Sequence, residues 1–291
     1  MSCPPADDAR HNGRVRPVFG LLLAVIGLFL INNLLIGTLF DWPSRQELLQ
    51  AILLGTAIGV VIGQLNLISI WAAIAEGPII VRLPWAYLLV VVIWASVAVG
   101  NVLSDGIDHE AIWTLGAMLA LGCTVAQAPL WIASRWFRWR LIGPGRVGEQ
   151  ADDVRFNLKH LFIGTFFLAV VLGFCRFIFL SVEGDIQFIT DGDLYVGLSI
   201  MAVVNLVTVV PAIWAAFLWP LSWQSALAGV AAVGSITVIQ VVIFSFLFGG
   251  GDIEEYLAFW AINLAQVLAV YVTLRAMRRF GFKLARCAAS S

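Results

Sequence analysis

Apolar residues run along this chain in long blocks, separated by short polar stretches. Eight blocks can be drawn: Val18–Phe40, Leu48–Ala75, Trp85–Leu103, Ala111–Ser134, Leu161–Val182, Leu194–Trp219, Ser225–Phe248 and Tyr256–Met277. A helix needs roughly 20 apolar residues to cross the hydrocarbon of a bilayer, and the blocks are of that length. The alternation expected of a barrel strand is absent. A backbone in lipid must satisfy its own amides, so the blocks predict helices. The expected fold is an all-α integral membrane protein with about eight transmembrane helices.

Composition agrees. The chain is 61% hydrophobic and 12% charged, whereas a soluble domain is about 45–50% apolar and about 25% charged. The first block is too long for the apolar core of a signal peptide and reads as a retained first span. The expected organisation is an N-terminal tail (1–17), a four-helix half (18–134), a basic connecting loop (135–160), a second four-helix half (161–277) and a basic C-terminal tail (278–291).

The charges are sorted by side. The N-terminal tail, the loops after the second and fourth blocks, and the C-terminal tail together with Arg275 at the end of the last block hold fifteen of the 17 basic residues. The exceptions are Arg45 and Arg176. The opposite loops carry acids such as Asp105, Asp108, Asp185, Asp193 and Glu254. Basic residues in short loops stay in the cytoplasm, which predicts both termini inside and places the chain in a membrane of the bacterial inner-membrane kind. Trp42, Trp85, Trp136, Trp139, Trp219 and Trp223 fall at block ends, where an indole is stable at the headgroup level.

A recurrence runs through the even-numbered blocks. Each carries a polar pair spaced i, i+3, which shares one helical face: Asn66 with Ser69, Thr124 with Gln127, Asn205 with Thr208, and Asn263 with Gln266. Positions 66 and 124 are 58 apart, as are 205 and 263; positions 66 and 205 are 139 apart, as are 124 and 263. An aromatic follows each pair (Trp71, Trp131, Trp214, Tyr271). Two of these aromatics lie in the strings Ile70-Trp71-Ala72-Ala73 and Ile213-Trp214-Ala215-Ala216. Basic residues recur after three of the four, in Val81-Arg82-Leu83, Trp139-Arg140-Leu141 and Phe282-Lys283-Leu284. The pattern predicts four repeated helical hairpins in two four-helix halves. Each hairpin has an even number of spans, so the repeats are parallel, about an axis along the membrane normal. With Gln64-x-Asn66-Leu67, Trp71 and Arg82-Leu83-Pro84, the layout resembles uncharacterised bacterial multi-pass membrane proteins built from repeated transmembrane hairpins. That resemblance implies a fold and no activity.

The candidate functional residues are these polar pairs. As structure, they hydrogen-bond between helices; as function, they line a polar pathway. Arg176 is an intramembrane charge in the fifth block, within reach of Glu183 or Asp185 or of the headgroups. Acids are absent from all eight blocks, which argues against a proton relay. His11, His109 and His160 lie at or beyond the membrane edges, and Cys3, Cys123, Cys175 and Cys287 have no metal or disulfide spacing. No phosphate loop, dinucleotide fingerprint or nucleophile elbow is present. The expectation is therefore no enzyme, no cofactor, no metal and no nucleic acid. Gly55, Gly59 and Gly63 form a small-residue face for close approach of another helix. The stretch Arg135-Trp136-Phe137-Arg138-Trp139-Arg140 suits anionic lipid headgroups at the cytoplasmic face, and a membrane-protein partner is also expected. Function is expected to be that of a non-catalytic membrane component, a scaffold or accessory subunit. The alternative is a passive permease for a small polar or amphiphilic solute.

Overall fold

A computed structural model describes residues 15–40, 47–75, 78–104, 109–137, 139–143, 169, 173, 192–218, 223–248 and 253–286. The described chain is nearly all helical. In order it forms α1 (Val15–Phe40), α2 (Glu47–Ile74), α3 (Ile79–Ser104), α4 (His109–Phe137), β1 (Trp139–Ile142), α5 (Gly192–Leu218), α6 (Trp223–Phe248), α7 (Ile253–Arg279) and β2 (Lys283–Arg286). Among the described residues, four helices are long and apolar enough to cross a bilayer, over Glu47–Ile74, Ile79–Leu103, Ile112–Ser134 and Tyr256–Arg279. Shorter apolar stretches lie in α1 (Ala24–Ile36), α5 (Val207–Leu218) and α6 (Ala228–Ile243). Of the fifth predicted block, only Ala169 and Gly173 are described, both helical and exposed.

Polarity is distributed inside out. Leu28, Ile31, Leu35, Val91, Val92, Val238, Ile239 and Phe246 point outward, while Asn33, Gln64, Asn66, Ser69, Gln127 and Gln266 are buried. Water would make such a surface a liability. In a bilayer it is the expected solution, because hydrocarbon solvates leucine and valine but not an amide. These features fit an integral membrane protein.

Helices α2, α4, α5 and α7 form a closed cycle of neighbours, with α2 against α4, α4 against α5, α5 against α7, and α7 back against α2. The most extensive contact is α2 with α7. Gly55, Gly59 and Gly63 face it, so the small-residue face meets a helix of the same chain. A Cβ on Gly55 would stand 2.7 Å from the Ala258 carbonyl oxygen, and one on Gly63 2.7 Å from Ala269 Cβ. The remaining described helices sit outside the cycle. Helix α1 packs on α3 and α2, and α6 packs on α7 and α5.

Two departures from the expected layout occur at the basic ends of the helices. First, α3 begins at Ile79 and so takes in Arg82 and Pro84, which the block boundaries had assigned to a loop. The Val81 and Arg82 amides donate to the Pro78 carbonyl at 3.1 and 3.3 Å, and the helix starts there. Pro84, one turn further in, forfeits one helix bond. Second, the segments expected as a loop and a tail form a ribbon. Strands β1 and β2 pair antiparallel, with Leu141 opposite Leu284 and Arg140 opposite Ala285. The ribbon is set up by the end of α7. Gly281 has φ 95, its amide donates to the Arg278 carbonyl at 3.1 Å, and Phe282 donates to Met277 at 3.2 Å. This is a Schellman termination, which needs a residue comfortable in the left-handed region. It turns the chain back so that Lys283–Arg286 meets Trp139–Ile142.

Candidate functional site: the polar interior of the helix cycle

The second residue of each polar pair turns into the cycle. In the first half, Ser69 and Gln127 converge on Cys123. The Ser69 hydroxyl lies 3.7 Å from Cys123 Sγ and donates to its carbonyl at 3.4 Å, while Gln127 Nε2 donates to the sulfur at 3.1 Å. In the second half, Gln266 Nε2 donates directly to Thr208 Oγ1 at 3.3 Å. The Thr208 hydroxyl in turn donates to the Val204 carbonyl at 2.8 Å. Thr208 and Gln266 are 58 residues apart, the same separation as Ser69 and Gln127. One pair is joined directly and the other through a thiol.

The first residues behave differently where their side chains are described. Thr124 meets Tyr87 OH of α3 at 2.9 Å. Asn263 Nδ2 donates to Thr237 Oγ1 at 3.0 Å and Gln240 Oε1 at 2.7 Å, both on α6. In each case the partner lies on the preceding helix of the same hairpin. The i, i+3 spacing thus divides its bonds between two neighbours. Asn66 is fully buried and has a partner. Asn205 lies on α5, but its side chain is outside the described residues, and Arg176 is outside them altogether.

Recurrence at fixed offsets could not find the tightest polar cluster, because that cluster does not recur. Asn33 of α1 and Gln64 of α2 exchange two amide bonds, Nδ2 to Oε1 at 3.1 Å and Nε2 to Oδ1 at 2.8 Å. Asn33 Nδ2 also donates to Ser96 Oγ of α3 at 2.9 Å. Its neighbour Asn32 donates to the Ala57 carbonyl at 3.3 Å. The signal was present as two consecutive amides in the middle of an apolar block. Thr237 and Gln240 were also missed.

Toward the basic end, the cycle is closed by apolar side chains. Ile70, Ile74, Leu130, Val209, Ile213, Val270 and Leu274 form one buried cluster with Trp139 and Leu141 of the ribbon. Ile70 and Ile213 hold the same place in their two repeated strings, and each is 1% exposed. Arginines cap helix ends at this level. Arg82 Nη1 donates to the Trp71 carbonyl of α2 at 3.3 Å. Arg275 and Arg278 both donate to the Ala216 carbonyl of α5, at 3.1 and 3.2 Å. Cations at C-terminal carbonyls complement the helix dipole. A cavity of about 460 Å³ lies away from the cycle, between α6 and α7, lined by Gly234, Thr237, Val238, Ile253, Tyr256, Leu257 and Trp260.

Within the described part of the cycle, then, neutral amides, hydroxyls and a thiol bond one another over an apolar seal. Such groups hold helices in register and carry no charge at neutral pH. No protein-family model matches the chain, nor does any curated protein or solved structure.

Proposed function

We propose that the chain is a non-catalytic integral membrane component, a scaffold or accessory subunit whose polar interior holds its helices in place. The observation that carries this reading is the mutual bonding of Ser69, Cys123 and Gln127, and of Thr208 and Gln266, above an apolar seal. Eight spans as four repeated hairpins, in two four-helix halves, belong to the same reading. Its support is the closed cycle of even-numbered spans and the ribbon that brings together Leu141 and Leu284, from matching places in the two halves.

The second reading is a passive permease for a small polar or amphiphilic solute. It is favoured by polar side chains at comparable depth on four neighbouring helices. A solute screen in liposomes decides between them, using native protein and a variant with Asn66, Gln127, Asn205 and Asn263 changed to leucine. The scaffold reading expects no flux above empty liposomes. It also expects the variant to lose about 0.6–2 kcal/mol per site in unfolding experiments. Flux through the native protein that disappears in a folded variant would establish the permease instead.

The basic end is proposed to face the cytoplasm, with both termini there. Reporter fusions at Ser104, Ile142, Gly192 and Ser291 should read outside, inside, outside, inside. A C-terminal fusion that reads outside contradicts this orientation.

A further inference from the structure

Where α6 and α7 leave a cavity, the corresponding pair α3 and α4 is wedged by an indole. Trp94 Nε1 donates to the Ile112 carbonyl at 2.8 Å, and its ring lies 5.2 Å from that of Trp113. A Cβ on Gly116 would stand 2.9 Å from the same nitrogen. Val233 stands 139 residues after Trp94, the offset of the polar pairs, and Gly234 follows it. With no indole there, about 460 Å³ stays open between Gly234, Thr237 and Val238 of α6 and the first two turns of α7. That volume is of ligand-pocket size, and Val238, 58% exposed, places it within reach of the surrounding lipid. The walls are apolar, and the free polar atoms are donors. Thr237 is satisfied, for it donates to the Val233 carbonyl at 2.9 Å and accepts from Asn263 at 3.0 Å. The Trp260 indole nitrogen faces Gly234, 3.9 Å from where a Cβ would stand. Among the described residues, neither this N–H nor the Tyr256 hydroxyl bonds an acceptor.

One end of the cavity lies at the start of α7, where the charges are all acidic. Ile253 lines it, Glu254 is next on the helix, and Asp252 and Glu255 flank them in the sequence. No Lys or Arg occurs between Arg176 and Arg275. We propose that the cavity holds one chain of an amine-bearing phospholipid of the phosphatidylethanolamine type. An ester carbonyl of the lipid accepts from Trp260 or Tyr256, and its ammonium is drawn to Glu254. A void between helices forfeits dispersion contacts, which an apolar chain entering from the bilayer restores. A donor without an acceptor is costly away from water, and the ester carbonyl is the acceptor that a bilayer supplies just below its headgroups. Glu254 and Trp260 are six residues apart, about 9 Å of helix, which the arm from glycerol to amine spans. The carboxylates attract that amine and repel an anionic headgroup. The site is independent of the scaffold role, and a flux result would leave it standing.

Lipid binding to the purified, delipidated full chain in neutral detergent tests it, read by native mass spectrometry. The probes are phosphatidylethanolamine and phosphatidylglycerol with the same acyl chains. Gly234→Leu fills the cavity from its wall, and Val238→Trp narrows it from the exposed side of α6. Both should keep the lipid-free unfolding midpoint or raise it, and each should weaken phosphatidylethanolamine binding roughly tenfold or more. Gly234→Ala is the control, because its Cβ meets nothing nearer than 3.9 Å, and its binding should be close to native. Glu254→Gln should weaken phosphatidylethanolamine roughly tenfold, the value of one charge-assisted bond. Phosphatidylglycerol also has the basic end of the protein open to it, so the deciding quantity is the binding that Gly234→Leu removes. That loss should be large for phosphatidylethanolamine and small for phosphatidylglycerol. Native binding of phosphatidylethanolamine by both Gly234→Leu and Val238→Trp overturns the site. Equal losses for the two lipids overturn the amine-bearing occupant, as does native binding by Glu254→Gln. A short-chain quinone is the competing occupant, since it too offers carbonyl acceptors. Its binding in place of phosphatidylethanolamine would overturn the lipid.

Discussion

Replacing Gly59 with alanine is expected to drive α7 off α2 at a large cost in stability. The new Cβ would meet the Ile262 carbonyl oxygen, and it would stand 2.9 Å from both Ile262 Cα and Ala265 Cβ. Two of these three are backbone atoms, so no rotamer change can relieve the clash, and one helix must move. Overpacking costs typically about 1–3 kcal/mol. Here the cost falls on the most extensive helix contact in the described fold. Gly27 supplies the internal control, because nothing lies within 4 Å of a Cβ placed there. Gly27→Ala should be neutral or slightly stabilising, since alanine is the better helix former by about 0.5–1 kcal/mol. Thermal unfolding in detergent of the two alanine variants, side by side with native protein, measures the difference. Equal midpoints for both variants would mean that α2 and α7 do not pack through this face.

The second large effect is expected at Asn33→Leu. Asn33 is 1% exposed and makes three side-chain bonds that join α1 to α2 and α3. Removing it leaves the Gln64 amide, itself 5% exposed, without the two bonds they exchange. Ser96 is less affected, because its hydroxyl also donates to the Ile93 carbonyl at 2.7 Å. Each bond lost inside a membrane bundle costs about 0.6–2 kcal/mol, and an orphaned buried amide raises the penalty. A second change at the partner should recover much of the loss, since replacing both members of a buried polar pair with apolar groups is far milder than replacing one. Asn33→Leu should therefore unfold at lower temperature than Asn33→Leu with Gln64→Leu. If the double variant is the less stable, the two amides are not each other's partners.

How far the sequence reached follows from what lipid demands of it. Hydrocarbon requires long apolar runs, so Leu48–Ala75 and Tyr256–Met277 matched α2 and α7 to within a few residues. The start of α3 was misplaced because Arg82 and Pro84 look like loop residues. The helix accommodates both, the arginine by capping α2 and the proline at the loss of a single helix bond. The ribbon was not legible. Its strands are four residues each and meet across about half of the chain, and Trp139-Arg140-Leu141 carries no period that separates strand from helix. Its likeness to Phe282-Lys283-Leu284 was visible only as a recurring basic residue. The face formed by Gly55, Gly59 and Gly63 announced a close helix neighbour but not that α7 fills the place. Recurrence found Thr208 and Gln266, which do bond, and passed over Asn33, whose network occurs once.

The scaffold role requires that the interior of the helix cycle be a sealed, self-bonded core. Cys123 reports on this directly, for it is fully buried between Ser69 and Gln127. In protein with Cys3, Cys175 and Cys287 changed to serine, a small water-soluble thiol reagent can be added to either face of oriented membranes and the modification of Cys123 timed. A sealed core predicts no modification of the folded protein from either face and complete modification once it is denatured. Modification of the folded protein at a rate approaching that of an exposed cysteine would contradict the account and place a water-filled path through the cycle.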